Sequence, residues 1–305
     1  MSRLPLVVAC AALLGLAGPA SAADPLPVKY RAPTTKPVDA AAPPAGANDW
    51  SCVPSAAHPR PVVLIPSTAN TMVENWSALS PLLKNEGYCV FSLNYGAFRA
   101  PLGFVYNGGR PVESSADELA AFIPRVLAAT GAMKVDLVGH SQGGILAEYY
   151  VKFLGGAPHV QTIVGLASPT HGGTLSGLLG WAQRLRRVSP VTGNALWELL
   201  EANAGSMLQL RIGSPLIEKL NSVPEPPGVA YTKIASKYDP IATPYRNVFI
   251  DGQTNVLLQH KCAKDYADHS ALAFDRIALR EVRNALDPAH AGTIGCVVVL
   301  PFVGG

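Results

Sequence analysis

A chain of 305 residues that is 49% hydrophobic can build one large α/β domain or two small ones. Only 15% of its residues are charged and the net charge is +3, so the totals point to neither nucleic acid nor an anionic membrane as a partner. Low charge combined with 28 Gly and 27 Pro suits a compact exported protein.

The first residues read MSRLPLVVACAALLGLAGPASAAD. Arg3 precedes an apolar run from Leu4 to Leu16, and Ala20-Ser21-Ala22 offers the small residues that a signal peptidase requires. The run is too short for a membrane anchor, so residues 1–23 are expected to be a cleaved secretory signal and the protein to be secreted. A lipoprotein reading through VVAC and Cys10 is weaker, because the strongest apolar stretch follows that cysteine instead of preceding it. Without Cys10, four cysteines remain: Cys52, Cys89, Cys262 and Cys296. An even number in an exported chain with no C-x-x-C spacing favours disulfides over metal ligands. Of three possible connectivities we favour the sequence-local one, Cys52 with Cys89 and Cys262 with Cys296. Each bridge would close a loop of about 35 residues and contribute roughly 4 kcal/mol in the chain-entropy model.

Residues 24–48 are rich in Pro and Ala without apolar periodicity and read as an extended arm. From Pro61 the pattern changes. Val62–Ile65 is a short buried strand, Trp76–Asn85 an amphipathic helix and Tyr88–Asn94 a strand. Ser114–Ala129 is a helix with Leu119, Phe122, Ile123, Val126 and Leu127 inward and Pro124 bending it. A strand from Val135 runs into Gly139-His140-Ser141-Gln142-Gly143, a helix through Tyr150 leaves it, and a strand follows at Gln161–Leu166. This alternation predicts an α/β fold, a mainly parallel sheet with helices on both faces. It lapses over about 172–220, where helical pieces carry exposed-looking Leu and Trp; the segment is a lid or cap insertion, or ordinary packing helices. Strands resume at Val229–Ser236 and Asn255–Gln259, and a last helix spans Ser270–Leu286. The apolar tail Gly295–Val303 is a strand or packs under a cysteine bridge.

The pentapeptide around Ser141 carries chemistry. A serine hydroxyl is a weak nucleophile and must stand clear of the backbone, where a base can reach it and a carbonyl can approach. A sharp strand-to-helix turn does this, and it crowds the backbone so tightly that glycine is wanted two residues before and two after. Gly139 and Gly143 occupy those places. The pattern alone can arise by chance in a chain with 28 Gly, but the strand before it and the helix after it single it out. The helix start also aims free N–H groups at a developing oxyanion, with Gln142 as the donor.

Such a serine needs an acid and then a base further along the chain. Asp239 follows an apolar strand in IASKYDPIATP and is the candidate acid, with Asp251 in reserve. A turn-forming Asp before Pro240 is the plainer reading. His269, in DYADHSALAFD just before the last helix, is the candidate base. His260 lies beside Cys262 and reads as structural, and His171 in SPTHGG is placed to line a pocket. His140 must point away from its neighbour, and His58 and His290 belong to the surface. A second oxyanion donor is expected from the loop Pro66-Ser67-Thr68, at the Thr68 N–H, with the Thr68 hydroxyl as a further donor.

GHSQGG, SKYDPIATPY, DHSALAFD and NDWSCVPSAAHPRPVVL followed by NWSALSPLLKNEGYCVF resemble the secreted actinobacterial esterase/lipase family of the α/β-hydrolase superfamily. The chain is also similar to the fungal lipase B type, whose oxyanion loop is Pro-Gly-Thr. The resemblance covers roughly Asn48 to the C-terminus. It implies an α/β-hydrolase domain over 49–305, the triad Ser141, Asp239 and His269, oxyanion residues Thr68 and Gln142, and the bridges favoured above. One departure is Ser67 where both groups have glycine: if that position needs a positive φ, serine would strain the loop. The resemblance further implies a secreted ester hydrolase with no metal or cofactor, meeting small-molecule or lipid esters as a monomer, with transient contact at lipid interfaces. An acyltransferase with the same triad, or a non-catalytic binding protein of this fold, are the alternatives.

Overall fold

The computed structural model describes residues 24–305 except 36 and 38, so the expected secretory signal and Cys10 lie outside the described residues. The strands are β1 (Val62–Ile65), β2 (Val90–Ser92), β3 (Phe98–Arg99), β4 (Val105–Tyr106), β5 (Val135–His140), β6 (Val160–Leu166), β7 (Ala230–Ala235) and β8 (Thr254–Leu257). The α-helices are α1 (Met72–Asn75), α2 (Leu79–Asn85), α3 (Val112–Thr130), α4 (Gln142–Phe153), α5 (Leu178–Val188), α6 (Pro190–Gln209), α7 (Pro215–Asn221), α8 (Leu258–Lys261) and α9 (Arg276–Leu286). Six strands form one parallel sheet in the order β2-β1-β5-β6-β7-β8.

Both faces of that sheet are covered, which is why VVLI in β1 can be apolar at four consecutive positions. Side chains alternate across a strand, so Val63 and Ile65 join Phe91, Leu137 and Ile163 against α3, α4 and α7. Val62 and Leu64 join Val138, Val164 and Ile234 against α2 and α9. Each fully buried Val or Leu of these layers stabilises the fold by about 1.5–3 kcal/mol. From β1 the chain moves outward to β2 on one side and returns to β5 on the other. The carboxyl ends of β1 and β5 therefore face each other across the crevice where such sheets place their sites.

Of the expected helix Trp76–Asn85 only Leu79–Asn85 is helical, as α2, and a separate short helix, α1, precedes it at Met72–Asn75. Thr71 opens α1 with a capping box to Glu74, and Pro81, in the first turn of α2, has no N–H to give to residue 77. Pro124, where a bend was expected, lies inside α3, which continues to Thr130 and ends at Gly131 with φ 68°. The expected last helix is broken at Asp275, whose Oδ1 accepts the Ile277 N–H at 2.7 Å and caps α9 after a 3-10 turn at Ala271–Phe274. The tail adds no strand to the main sheet: it makes isolated bridges, Asp265 to Val299 and Leu300 to Gly304. Cys262 is bonded to Cys296 and Cys52 to Cys89, with Cα separations of 5.0 and 5.7 Å, within the range a disulfide spans. The β3–β4 hairpin was not anticipated.

A buried ion pair ties the layers beneath the crevice. Lys233 on β7 and Glu148 on α4 are both fully buried and bonded to each other, and Thr170 Oγ1 donates to Glu148 Oε1 at 2.9 Å. The lysine crosses above β6 at Gly165, where a Cβ would sit 2.9 Å from Lys233 Nζ. Removing one partner leaves an uncompensated buried charge, so Lys233→Met is expected to lose about 3–5 kcal/mol of unfolding free energy. The double change Lys233→Met with Glu148→Leu should recover most of that loss, as read by urea denaturation.

Candidate active site

The crevice end of β5 makes the turn the spacing predicts. Ser141 has φ 54° and ψ −122°, a region non-glycine residues avoid at a cost of about 1–3 kcal/mol. Its N–H donates to the Leu166 carbonyl at 2.8 Å, and α4 begins at the next residue. A Cβ on Gly139 would strike the Gly143–Gly144 backbone, and one on Gly143 would strike the carbonyl oxygens of Ile65 and Pro66. The glycines thus let the β1 loop close directly on the start of α4.

Asp239 and His269 arrive from the other side. Asp239 Oδ1 accepts the N–H groups of Ile241 at 2.7 Å and Ala242 at 2.9 Å, and Oδ2 accepts from His269 Nδ1 at 2.7 Å. Burial pushes the Asp239 carboxyl upward, but the His269 charge and these hydrogen bonds outweigh it, and its pKa lies below the ordinary carboxylate value. An ionised Asp239 holds the hydrogen of the neutral ring on Nδ1 and leaves Nε2 as an acceptor. Ser141 and His269 both line one cavity of about 210 Å³, whose other walls include Leu175, Leu179, Met207, Leu210 and Ile241. Apolar walls around two polar groups suit an acyl chain with a reacting carbonyl at its end.

Thr68 and Ser67 also line the cavity. The Thr68 hydroxyl is hydrogen-bonded to Gln142 Oε1, so it is engaged with the neighbouring side chain in place of the free donor expected above. Gln142 is the first residue of α4, where N–H groups have no intrahelical acceptor. The concern over Ser67 is misplaced. The positive φ in this loop belongs to Ala69, at 65°, while Ser67 is buried with its N–H and Oγ both donating to Asn75 Oδ1, at 3.1 and 2.9 Å. The loop is further held by Tyr95, whose hydroxyl donates to the Pro66 carbonyl at 2.8 Å, and by Ala69, whose N–H donates to Asn107 at 2.9 Å. A Cβ on Gly108, where φ is 71°, would sit 3.2 Å from Thr68 Cα. Sequence reasoning missed Asn75, Tyr95 and the 107–109 turn, although Asn-Gly-Gly is a turn signal.

Most of the other candidates lie elsewhere. His260 and Asp251 are exposed, and His171 is exposed with its N–H on the Asn247 carbonyl, off the cavity wall. His58 stacks on Tyr88 with centroids 3.8 Å apart, and His290 is exposed beside Asp287. His140, expected to point away, is buried beside the Ser141 turn and contributes to the wall of the same cavity. Its Nδ1 lies 3.0 Å from Asn75 Oδ1 and its Nε2 2.9 Å from the His269 carbonyl oxygen. Burial, and then the His269 charge, push its pKa down to about 3, so the ring is neutral. Of the 172–220 segment, α5 and α6 pair around a small core of their own, Leu179, Ala182, Trp197 and Leu208, whereas α7 packs on α4 in a main layer.

Comparison with known proteins fits this geometry. A triacylglycerol lipase of Pseudarthrobacter phenanthrenivorans is 36% identical over 94 residues, covering 29% of this chain and 27% of that protein. One of Burkholderia plantarii is 36% identical over 94 residues, covering 29% and 24%. The matched stretch is thus about a quarter of either relative's length. Among solved structures, Aspergillus fumigatus lipase B superposes with a TM-score of 0.58 at 18% identity, covering 89% of this chain and 62% of that one. A mature Bacillus licheniformis lipase superposes at 0.54 with 15% identity, covering 76% and 94%. These likenesses, with the sheet order, give the chain the α/β-hydrolase fold that the resemblance implied. The model of the lipase (class 2) family matches residues 59–279, a span that takes in Thr68, Ser141, Asp239 and His269, and the chain belongs to that family.

Proposed function

We propose that the protein is a secreted carboxylic ester hydrolase that cleaves lipid or other apolar acyl esters through an acyl-enzyme. The observation that carries this reading is the meeting of Ser141, on its strained turn, and the His269–Asp239 pair at one apolar-walled cavity. In the first half-reaction Ser141 Oγ attacks the ester carbonyl carbon while His269 Nε2 takes its proton. The imidazolium is held by Asp239, and the oxyanion receives hydrogen bonds from the backbone N–H groups of Thr68 and Gln142. Collapse of the tetrahedral intermediate returns the proton to the departing alcohol. Water then repeats the attack on the acyl-enzyme and releases the acid. The chain supplies every group in these steps, so a monomer without metal or cofactor suffices.

The α5–α6 pair supports a lid over the acyl pocket. It contributes Leu179 and Met207 to the cavity wall while exposing Leu178, Trp181 and Val188 outward, a surface suited to transient contact with a lipid interface. Two disulfides suit an oxidising compartment, and among the described residues no helix is long and apolar enough to cross a membrane.

Replacing Ser141 with Ala is expected to lower kcat on p-nitrophenyl esters by on the order of 10⁶-fold with an unchanged circular dichroism spectrum; turnover at the parent rate would refute the nucleophile assignment. Asp239→Asn should lower kcat by about 10⁴-fold with KM little changed, because the amide favours the wrong imidazole tautomer. Steady-state kinetics on one ester series reads both parameters.

A further inference from the structure

Two loops have to be in register for the proposed reaction: the β1 loop with Ser67 and Thr68, and the loop that carries His269. They come from opposite sides of the crevice, and Ser67 and His269 are 202 residues apart in sequence. A chain of buried polar contacts joins them. Ser67 N–H and Oγ donate to Asn75 Oδ1, His140 Nδ1 lies 3.0 Å from that same Oδ1, and His140 Nε2 meets the backbone carbonyl of His269. Asn75 and His140 are each 2% exposed. His140 lines the cavity, but both of its ring nitrogens are directed at these contacts and neither is left free to face a substrate.

The chemistry of the link is constrained. A carbonyl only accepts, so the single hydrogen of the neutral His140 ring sits on Nε2 and is donated to His269. Nδ1 is then an acceptor that calls for the Asn75 nitrogen, whereas Ser67 N–H calls for the Asn75 oxygen. Asn75 Nδ2 is buried and has no hydrogen-bond partner among the described residues. The same atom, Asn75 Oδ1, lies 3.1 Å from Ser67 N and 3.0 Å from His140 Nδ1, so the amide as placed meets the Ser67 demand and leaves the His140 one unmet, and the setting of each loop is felt by the other. The Ser67 hydroxyl, donating to Asn75 Oδ1 at 2.9 Å, ties the loop to Asn75.

We propose that Ser67, Asn75 and His140 are positioning residues that form one unit, setting the oxyanion loop and the His269 loop relative to each other. The proposal rests on the hydrolase reading above. His140 carries no charge in this role: its neutrality keeps a second positive charge away from His269 when that ring takes the Ser141 proton, the two ring centroids being 5.1 Å apart.

The test is a mutant cycle on an enzyme first shown to be active. Labelling of the parent Ser141 by a fluorophosphonate and turnover of p-nitrophenyl butyrate establish the hydrolase; failure there refutes that reading and leaves the network aside. With parent activity in hand, His140→Phe keeps ring volume and removes both contacts, and is expected to lower kcat by ~30–100-fold with KM changed less than about threefold. His140→Gln places an amide N–H near the former Nε2 and should recover to within about fivefold of the parent, whereas His140→Asn, which mimics only the Nδ1 side, should not. Ser67→Ala should cost ~10-fold, and the Ser67→Ala, His140→Phe double variant should be no slower than His140→Phe by more than about twofold, as expected for residues acting as a unit. Multiplicative losses, or equal kcat for the Phe, Gln and Asn variants, would overturn the proposal. Should His140→Phe not fold, the Gln and Asn variants with Ser67→Ala decide it by the same comparison.

Discussion

The turn at Ser141 is the constraint on which the rest of the molecule depends. A residue with φ 54° directly between a central strand and a helix is costly, and it persists because its surroundings over-determine it. The Ser141 N–H is taken by Leu166 on β6, and the glycines on either side allow the carbonyls of Ile65 and Pro66 to press against the start of α4. That contact brings the loop after β1 to within reach of the first N–H groups of α4. Without it the crevice between β1 and β5 would hold a serine but no facing donors.

Around this turn the protein uses buried polar groups rather than apolar packing to set angles. Glu148 and Lys233 fasten α4 to β7, the strand that leads to Asp239. Asp239 is held by two backbone N–H groups, and its remaining oxygen orients His269. Beside the turn, Asn75 and His140 occupy the space between the two loops. Such groups contribute little net stability, since their desolvation offsets most of their attraction, but a displaced partner leaves an unpaired buried atom. They therefore penalise small misplacements more steeply than apolar contacts do.

The cavity wall is built differently. Leu175, Leu179, Met207 and Leu210 come from a segment outside the sheet, and α5 and α6 share a small core separate from the two main layers. The pair is tied to the body by Tyr106, whose hydroxyl donates to the Asn203 carbonyl at 2.6 Å, by Leu102, whose N–H meets Asn203 Oδ1 at 3.0 Å, and by Gln209, which accepts the Val112 N–H and donates to Glu113, both at 2.8 Å. Leu210 of this wall packs in a main layer, whereas Leu179 belongs to the separate α5–α6 core.

Much of this was legible from residue order. The runs VVLI and VDLVGH, the elbow glycines and the chain order of Asp239 and His269 specify strands, a sharp strand-to-helix turn at Ser141 and two strand-end loops by local rules of periodicity and steric crowding. The four cysteines gave their pairing to within three choices, and the structure has the sequence-local one. What the sequence by itself could not determine are contacts between groups far apart along it. Whether Ser67 or Ala69 takes the positive φ depends on the Asn75 and Asn107 contacts, and the use of the Thr68 hydroxyl depends on Gln142. The burial of Lys233 within an apolar strand depends on Glu148, 85 residues away. Local sequence sets backbone preference and period, whereas the partner of a buried polar group is chosen only when the layers close and exclude water.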